Sequence, residues 1–208
     1  MPSLLSNRPV IATPEPQLGE LPDRERLMGS LDQMAAIGLQ PDGSVCRRGF
    51  SVEDVQGRAL LTKWMKDAGL QVRVDTAGNL IGRLSGLDPD LPALVTGSHL
   101  DTVPTGGRFD GVLGVLAGLE ACRCLQDNGI RLQHDLELVA FADEESTMVG
   151  CKGMAGTASC DSMAYATSNR EPIEDNLARI GGNWPSLASA GRPDDACAAF
   201  LELHVEQG

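Results

Sequence analysis

Leu27, Leu31, Met34 and Ile37 recur three or four residues apart, the spacing of one helical face. They predict a helix from Pro22 or Asp23 to Ile37, stopped by Gly38. A second helix opens at Ser51, whose hydroxyl can cap it, with Asp54 in the place of the capping-box acid. Val55, Leu60, Trp64, Met65 and Ala68 supply its apolar stripe, and Gly69 ends it. The pattern then changes to alternation. Val72 and Val74, a Gly-containing turn at 76–79, and Leu80 with Ile81 read as a β-hairpin. Leu91 to Gly97 reads as a strand running into Ser98-His-Leu-Asp101. After a loop with Gly106 and Gly107, a helix from Asp110 to Asp127 is apolar on more than one side, as a deeply buried helix is. Leu136 to Ala142 is a further strand, and it ends in Asp143-Glu-Glu145. Residues 161–195 are helical and loop-rich, punctuated by Pro172, Gly181, Gly182, Pro185 and Pro193, before a last strand from Ala198 to Val205. Strands alternating with long helices give an α/β fold: a mixed, centrally parallel sheet flanked by helices, to which the hairpin adds antiparallel strands.

The chain has 208 residues, 42% apolar and 22% charged, the composition of one soluble domain with enough apolar side chain for a core. Seventeen Lys and Arg against twenty-nine Asp and Glu give a net charge of −12, which argues against nucleic acid or an anionic membrane as partner. Two Trp, one Tyr and four Phe are too few for a base-stacking platform. No run of 18 apolar residues is present, so no membrane-spanning helix is expected. Residues 1–21, with Pro2, Pro9, Pro14 and Pro16, read as a polar arm, not as a signal peptide. Cys46, Cys122, Cys124, Cys151, Cys160 and Cys197 form no C-x-x-C pair and read as reduced, mostly buried thiols of a cytoplasmic protein.

Three strands end in potential metal ligands: His99 with Asp101, Glu144 with Glu145, and His204. Asp110 stands where the Gly-rich loop enters a helix. In an open α/β sheet, ligands gather beyond the carboxyl ends of the strands, so one sheet can bring all four segments together. Singly, each group has an ordinary structural reading: a polar pair at a strand end, a solvated acidic loop, a helix cap. Together, imidazole and carboxylate without suitably spaced Cys form the ligand set of a catalytic metal site. If ionised, Asp101, Asp110, Glu144 and Glu145 balance two divalent ions. His134 has no such neighbours and is left out, as are the cysteines.

Four motifs carry a more specific message: Gly97-Ser-His-Leu-Asp-Thr-Val-Pro104, Gly106-Gly-Arg-Phe-Asp-Gly-Val-Leu-Gly114, Phe141-Ala-Asp-Glu-Glu145 and Glu202-Leu-His-Val-Glu-Gln-Gly208. In this order they closely resemble the N-carbamoyl-L-amino-acid hydrolases, allantoate amidohydrolases and β-ureidopropionases. These are dinuclear metal amidohydrolases related to aminoacylases and carboxypeptidase G. The resemblance implies a zinc-peptidase-like catalytic domain and two divalent ions drawn from Zn, Mn, Co or Ni. It implies hydrolysis of a linear amide or ureido C–N bond in a small molecule: an N-carbamoyl-L-amino acid, allantoate or ureidopropionate. Carried over by motif, His99, Asp110 and His204 hold one ion, and Asp110 bridges to a second that Glu145 also binds. Glu144 is the general base, and Asp101 accepts the His99 N–H to fix its tautomer.

The same resemblance assigns residues 22–208 to the N-terminal part of that catalytic domain. The lid and dimerisation domain through which the family forms homodimers, its substrate-binding Arg and a last His of the second metal site have no counterpart here. The second site is therefore expected to be incomplete, the isolated chain to be inactive, and a sheet edge to be exposed. After Glu145 the group reads Gly-x-Arg-Phe, where this chain has Ser146-Thr-Met-Val149. Two other readings compete. One is a related dinuclear metallopeptidase or deacylase, opposed by His204 where most peptidase relatives carry an acid. The other is a truncated, non-catalytic remnant that binds at most one metal.

Overall fold

The computed structural model describes residues 22–206. The arm expected over 1–21 and the last two residues of the final motif lie outside them. Helix α1 (Arg24–Ala35) begins at Asp23, whose carboxylate accepts the Arg26 N–H at 2.9 Å. Helix α2 (Val52–Asp67) begins at Ser51, whose hydroxyl accepts the Asp54 N–H at 3.1 Å. The Asp54 carboxylate does not return to Ser51 as in a capping box; it accepts the Phe50 N–H at 2.9 Å, one residue earlier. The buried face of α2 is also rotated from the expected one. It runs through Asp54, Gly57, Arg58, Leu61, Trp64 and Met65, while Val55 is exposed. Two buried charges, Asp54 and Arg58, occupy inward positions that the hydrophobic pattern assigned elsewhere.

Five strands form one sheet in the order β1 (Gln71–Val74), β2 (Leu80–Leu84), β4 (Leu136–Phe141), β3 (Ala93–His99), β5 (Cys197–Leu201). The β1–β2 hairpin and the β2–β4 pair are antiparallel, whereas β3 lies parallel to both β4 and β5. This is the mixed, centrally parallel sheet that the alternation predicts. Helix α3 (Val112–Asp127) makes the crossover from β3 to β4. The connection from β4 to β5 carries α4 (Val149–Met154), which the sequence pattern did not single out, and α5 (Ile173–Arg179).

Side chains alternate across β4. Leu138 and Ala140 join Leu31, Met34, Leu61, Met65, Val115, Leu116 and Leu119 in the main core beneath α1, α2 and α3. Val139 faces the other side, with Ile81 and Val95. A third cluster, built on Phe50, Val149, Ile173 and Leu177, packs below the turn that follows β4. Helix α1 is also tied to α3 by charge: Arg26 donates to Glu120 at 2.7 and 2.9 Å, and Glu120 is buried.

Strand β5 ends at Leu201, short of the expected Val205, so His204 lies in coil. It is an edge strand with Phe200 and Leu201 exposed. All six cysteines are free, but only Cys122 is buried; Cys160 is exposed and the others are half-buried, against the expectation of mostly buried thiols. Among the described residues no helix is long and apolar enough to cross a membrane.

Leu119 is fully buried where α3 meets the sheet. Leu119→Ala is expected to cost about 2–5 kcal/mol in urea unfolding, the loss of a buried side chain plus the cavity left behind. A cost below about 1 kcal/mol contradicts this placement of α3.

Candidate metal centre

Parallel pairing of β3 with β4 brings His99 level with Phe141, so the chain leaves two neighbouring strands at the same height. His99-Leu-Asp101 leaves one and Ala142-Asp-Glu-Glu145 the other. Segment 202–206 follows the end of β5 on the other side of β3. Asp110 stands just before Gly111, the cap of α3, where the positive end of the helix favours a carboxylate.

The His99 ring is buried and its position is set from two sides. Its Nδ1 donates to the backbone carbonyl of Asp101 at 2.9 Å. Below it, Gly111 has φ 62°, and a Cβ there would lie 2.5 Å from Cε1 and Nε2 of the imidazole, so only glycine leaves room for the ring. The acceptor that Asp101 offers His99 is thus its backbone carbonyl and not its carboxylate. That carboxylate is 3.8 Å from Nδ1 and turns instead to the N–H groups of Glu144 and Glu145, at 3.2 and 3.0 Å. Two adjacent amides hold that carboxylate turned toward the acidic segment, and the nearer backbone carbonyl takes the imidazole proton.

His204 is arranged in the same way. Its Nδ1 donates to the Val205 carbonyl at 2.9 Å, and its ring lies 5.9 Å from that of His99. With both Nδ1 atoms holding protons, each Nε2 is left facing carboxylates. His99 Nε2 is 3.6 Å from a Glu144 oxygen, and His204 Nε2 is 3.4 Å from an Asp110 oxygen. A lone pair aimed at a carboxylate is repulsive unless a proton or a cation lies between them.

Two groups of potential ligand atoms each fall within 4.8 Å of one another: His99, Asp110 and His204, and His99, Glu144 and Glu145. The first is the trio that the motifs assign to one ion. The second adds Glu144, which the sequence reading reserved for proton transfer, to Glu145. Burial raises the Glu145 carboxyl above its ordinary range; His99 opposes this, while the charges of Asp110 and Glu144 and a hydrogen bond with Asp110 add to it. Burial pushes Asp101 up to about 7, opposed by His99 and reinforced by Asp54. Carboxyls raised by burial and by one another's charge, beside two imidazoles and with no thiol among them, are a donor set suited to a divalent cation.

The turn carrying the acids is held locally. Asp143 has φ 49°, and its carboxylate accepts the Thr147 N–H at 3.1 Å and the Thr147 hydroxyl at 2.5 Å. Thr147 thus closes the turn in a chain that has Ser146 and Met148 where the resembling group has Gly and Arg. Buried Arg47 holds the other segment, donating to the Leu100 carbonyl at 2.8 Å and to those of Met34 and Ile37 at 3.0 and 2.9 Å. Sequence reasoning missed Arg47, because an Arg in a Gly-containing loop reads as exposed. It also missed Gly111, although its place between Asp110 and an apolar helix was a usable signal. His134 lies apart, its Nδ1 on the Pro92 carbonyl at 2.6 Å.

The sequence profile of peptidase family M20/M25/M40 matches residues 95–208. The N-carbamoyl-L-amino acid amidohydrolase of Geobacillus stearothermophilus is 39% identical over 189 residues, 88% of this chain and 46% of its own length. The ureidoglycolate hydrolase of Arabidopsis thaliana is 34% identical over 197 residues, 89% of this chain and 41% of its own. A crystal structure of a hydantoinase/carbamoylase family amidase from Burkholderia multivorans superposes with a TM-score of 0.80 at 40% identity, covering 89% of this chain and 46% of that one. The chain thus spans about half the length of the relatives it matches.

Two measurements probe the centre. His99→Ala and His204→Ala are each expected to weaken Zn²⁺ binding at least about tenfold, while His134→Ala leaves it unchanged. Equal affinity in all three variants contradicts the ligand assignment. Burial raises Asp54, Asp75, Asp101, Asp143 and Glu145, so the folded metal-free chain keeps protons that the unfolded chain has released. Stability supplied by raised carboxyl pKa values is present at low pH and lost as pH rises through the folded values. With chelator present, the urea midpoint is expected to fall from about pH 5 to about pH 7. A midpoint that rises over this range contradicts the upward shift of these acids on burial.

Proposed function

Since the chain belongs to peptidase family M20/M25/M40, we propose that the protein carrying it hydrolyses the C–N bond of a linear amide or ureido compound at a metal centre. The observation that carries this reading is the convergence of His99, Asp110, Glu144, Glu145 and His204 beyond the carboxyl ends of β3, β4 and β5, with both imidazole Nε2 atoms turned to carboxylates. The relatives' names, N-carbamoyl-L-amino acid amidohydrolase and ureidoglycolate hydrolase, support a small-molecule substrate with a ureido group. N-carbamoyl-L-amino acids are the substrates to try first, with allantoate and ureidopropionate beside them.

His99, Asp110 and His204 would hold one divalent ion, and Glu145, in contact with Asp110, would help to hold a second. A divalent ion there lowers the pKa of water and polarises a carbonyl oxygen. Zn, Mn, Co and Ni all suit imidazole with carboxylate. Glu144, half-exposed at the mouth of the cluster, takes the proton from the attacking water and passes it to the leaving nitrogen. Asp101 keeps Glu144 and Glu145 aimed by accepting both of their amide N–H groups. Its backbone carbonyl holds His99 in the tautomer with Nε2 free for an ion. With a carbamoyl substrate, one water and the ureido group give an amino acid, ammonia and carbon dioxide.

In this reading residues 22–208 are the N-terminal part of the metallohydrolase catalytic domain. Net charge of −12 supports a partner other than nucleic acid, and six free cysteines support the reducing cytoplasm.

Ammonia release by the whole protein that carries this chain, from the three substrate types with each metal supplied, tests the reading, and its absence throughout overturns it. In the protein that turns over, Glu144→Gln is expected to keep metal affinity within about threefold and to lower kcat about 100-fold or more. Undiminished turnover removes Glu144 as the base.

A further inference from the structure

His204 belongs to no helix or strand, yet its ring stands against that of His99. A coil segment at the edge of a sheet needs a specific restraint to hold a side chain in such register. Two independent features supply one. Ser98, the neighbour of His99 and itself buried, donates its hydroxyl proton to Glu202 Oε1 at 2.6 Å. The acceptor is a carboxylate, which makes this a short, charge-assisted bond between the segments that carry the two imidazoles. On the facing surface of α3, Gly114 forms a notch. A Cβ at this position would lie 2.3 Å from the Leu203 carbonyl oxygen and 3.0 Å from Ser98 Cβ. Residue 203 is thus seated against α3, residue 202 is tied to β3, and residue 204 follows directly.

We propose that Ser98 and Glu202, seated at the Gly114 notch, are positioning residues that hold His204 in register with His99 and so set the affinity of the centre for a divalent ion. The inference rests on the reading of His99 and His204 as ligands. Neither Ser98 nor Glu202 touches the ion; each acts through His204. Without the clasp the coil must be ordered at the moment of binding, which weakens the ion's hold although every ligand remains in the sequence.

Zn²⁺ affinity, measured by competition with a chromophoric chelator, and the Co²⁺ absorption spectrum test the clasp in the 208-residue chain. Ser98→Ala and Glu202→Ala are each expected to lose about 10- to 100-fold in affinity, the range for partners that orient metal ligands. The double variant should lose no more than the worse single one, because both remove the same bond. Glu202→Gln should recover most of the loss, since its amide oxygen can still accept from Ser98. Gly114→Ala, which pushes on Leu203 from the other side, should weaken Zn²⁺ binding and alter the Co²⁺ spectrum. The metal-free Glu202→Ala protein should stay folded with a modestly lower melting temperature, since the change lies at the surface but leaves the buried Ser98 hydroxyl unpaired. Parental affinity in Glu202→Ala, or fully additive losses in the double variant, overturns the proposal. Should Ser98→Ala fail to fold, the Glu202 variants decide it. His99→Ala separates the two levels: if it binds Zn²⁺ like the parent, the ligand reading fails; if it does not and Glu202→Ala still does, only the clasp fails.

Discussion

The parallel pairing of β3 with β4, with His99 opposite Phe141, is the constraint on which the rest of the site depends. A hairpin would send two neighbouring strands out of opposite ends of the sheet. A crossover through α3 returns the chain to the same end, so that His99 and the acids after β4 emerge together. The same crossover helix starts at that end and brings Asp110 and Gly111 under the His99 ring. Strand β5, parallel on the other side of β3, delivers the segment with His204. Residues a hundred positions apart become neighbours through the handedness of one βαβ unit and one added strand.

What this convergence builds is electrostatically costly when empty. Asp101, Asp143 and Asp54 are buried near one another, and Glu145 meets Asp110 and Glu144 nearer the surface. The fold offsets part of the cost with local donors: the amides of Glu144 and Glu145 on Asp101, Thr147 on Asp143, and the Phe50 amide on Asp54. Arg47 and Arg58 lie buried beside these acids, their backbone partners being Leu100 and Gly78. None of these donors serves the two Nε2 atoms, which remain directed at carboxylates. Each of these pairs calls for a proton or a cation between its members, and a divalent ion placed there would serve both imidazoles at once.

Much of this organisation is legible in the residues. Ser51 caps its helix as its position suggests, the apolar run of 136–142 gives β4, and the order of strands and helices gives a mixed sheet. The trio His99, Asp110 and His204 could be named from the motifs, and the structure brings its ligand atoms together. Failures of the pattern have physical causes. Periodicity misplaced the buried stripe of α2 because Asp54 and Arg58 are buried as charges, which hydrophobic patterning does not register. Which atom of Asp101 accepts the His99 N–H was not legible, because backbone carbonyls carry no sequence signal. The ladder of β5 ends at Leu201, and the Ser98–Glu202 bond just beyond it joins two polar residues far apart in sequence, a pairing that hydrophobic patterning does not register.

X-ray absorption at the metal edge of the Zn²⁺-loaded chain addresses the central claim most directly. The account predicts nitrogen and oxygen neighbours at about 2.0–2.2 Å, with the outer-shell scattering of two imidazoles and no sulfur. A sulfur neighbour at about 2.3 Å would place the ion on the cysteines, and scattering from no imidazole would remove His99 and His204 from the centre. Either result contradicts the claim that the strand ends of this sheet were brought together to hold a cation.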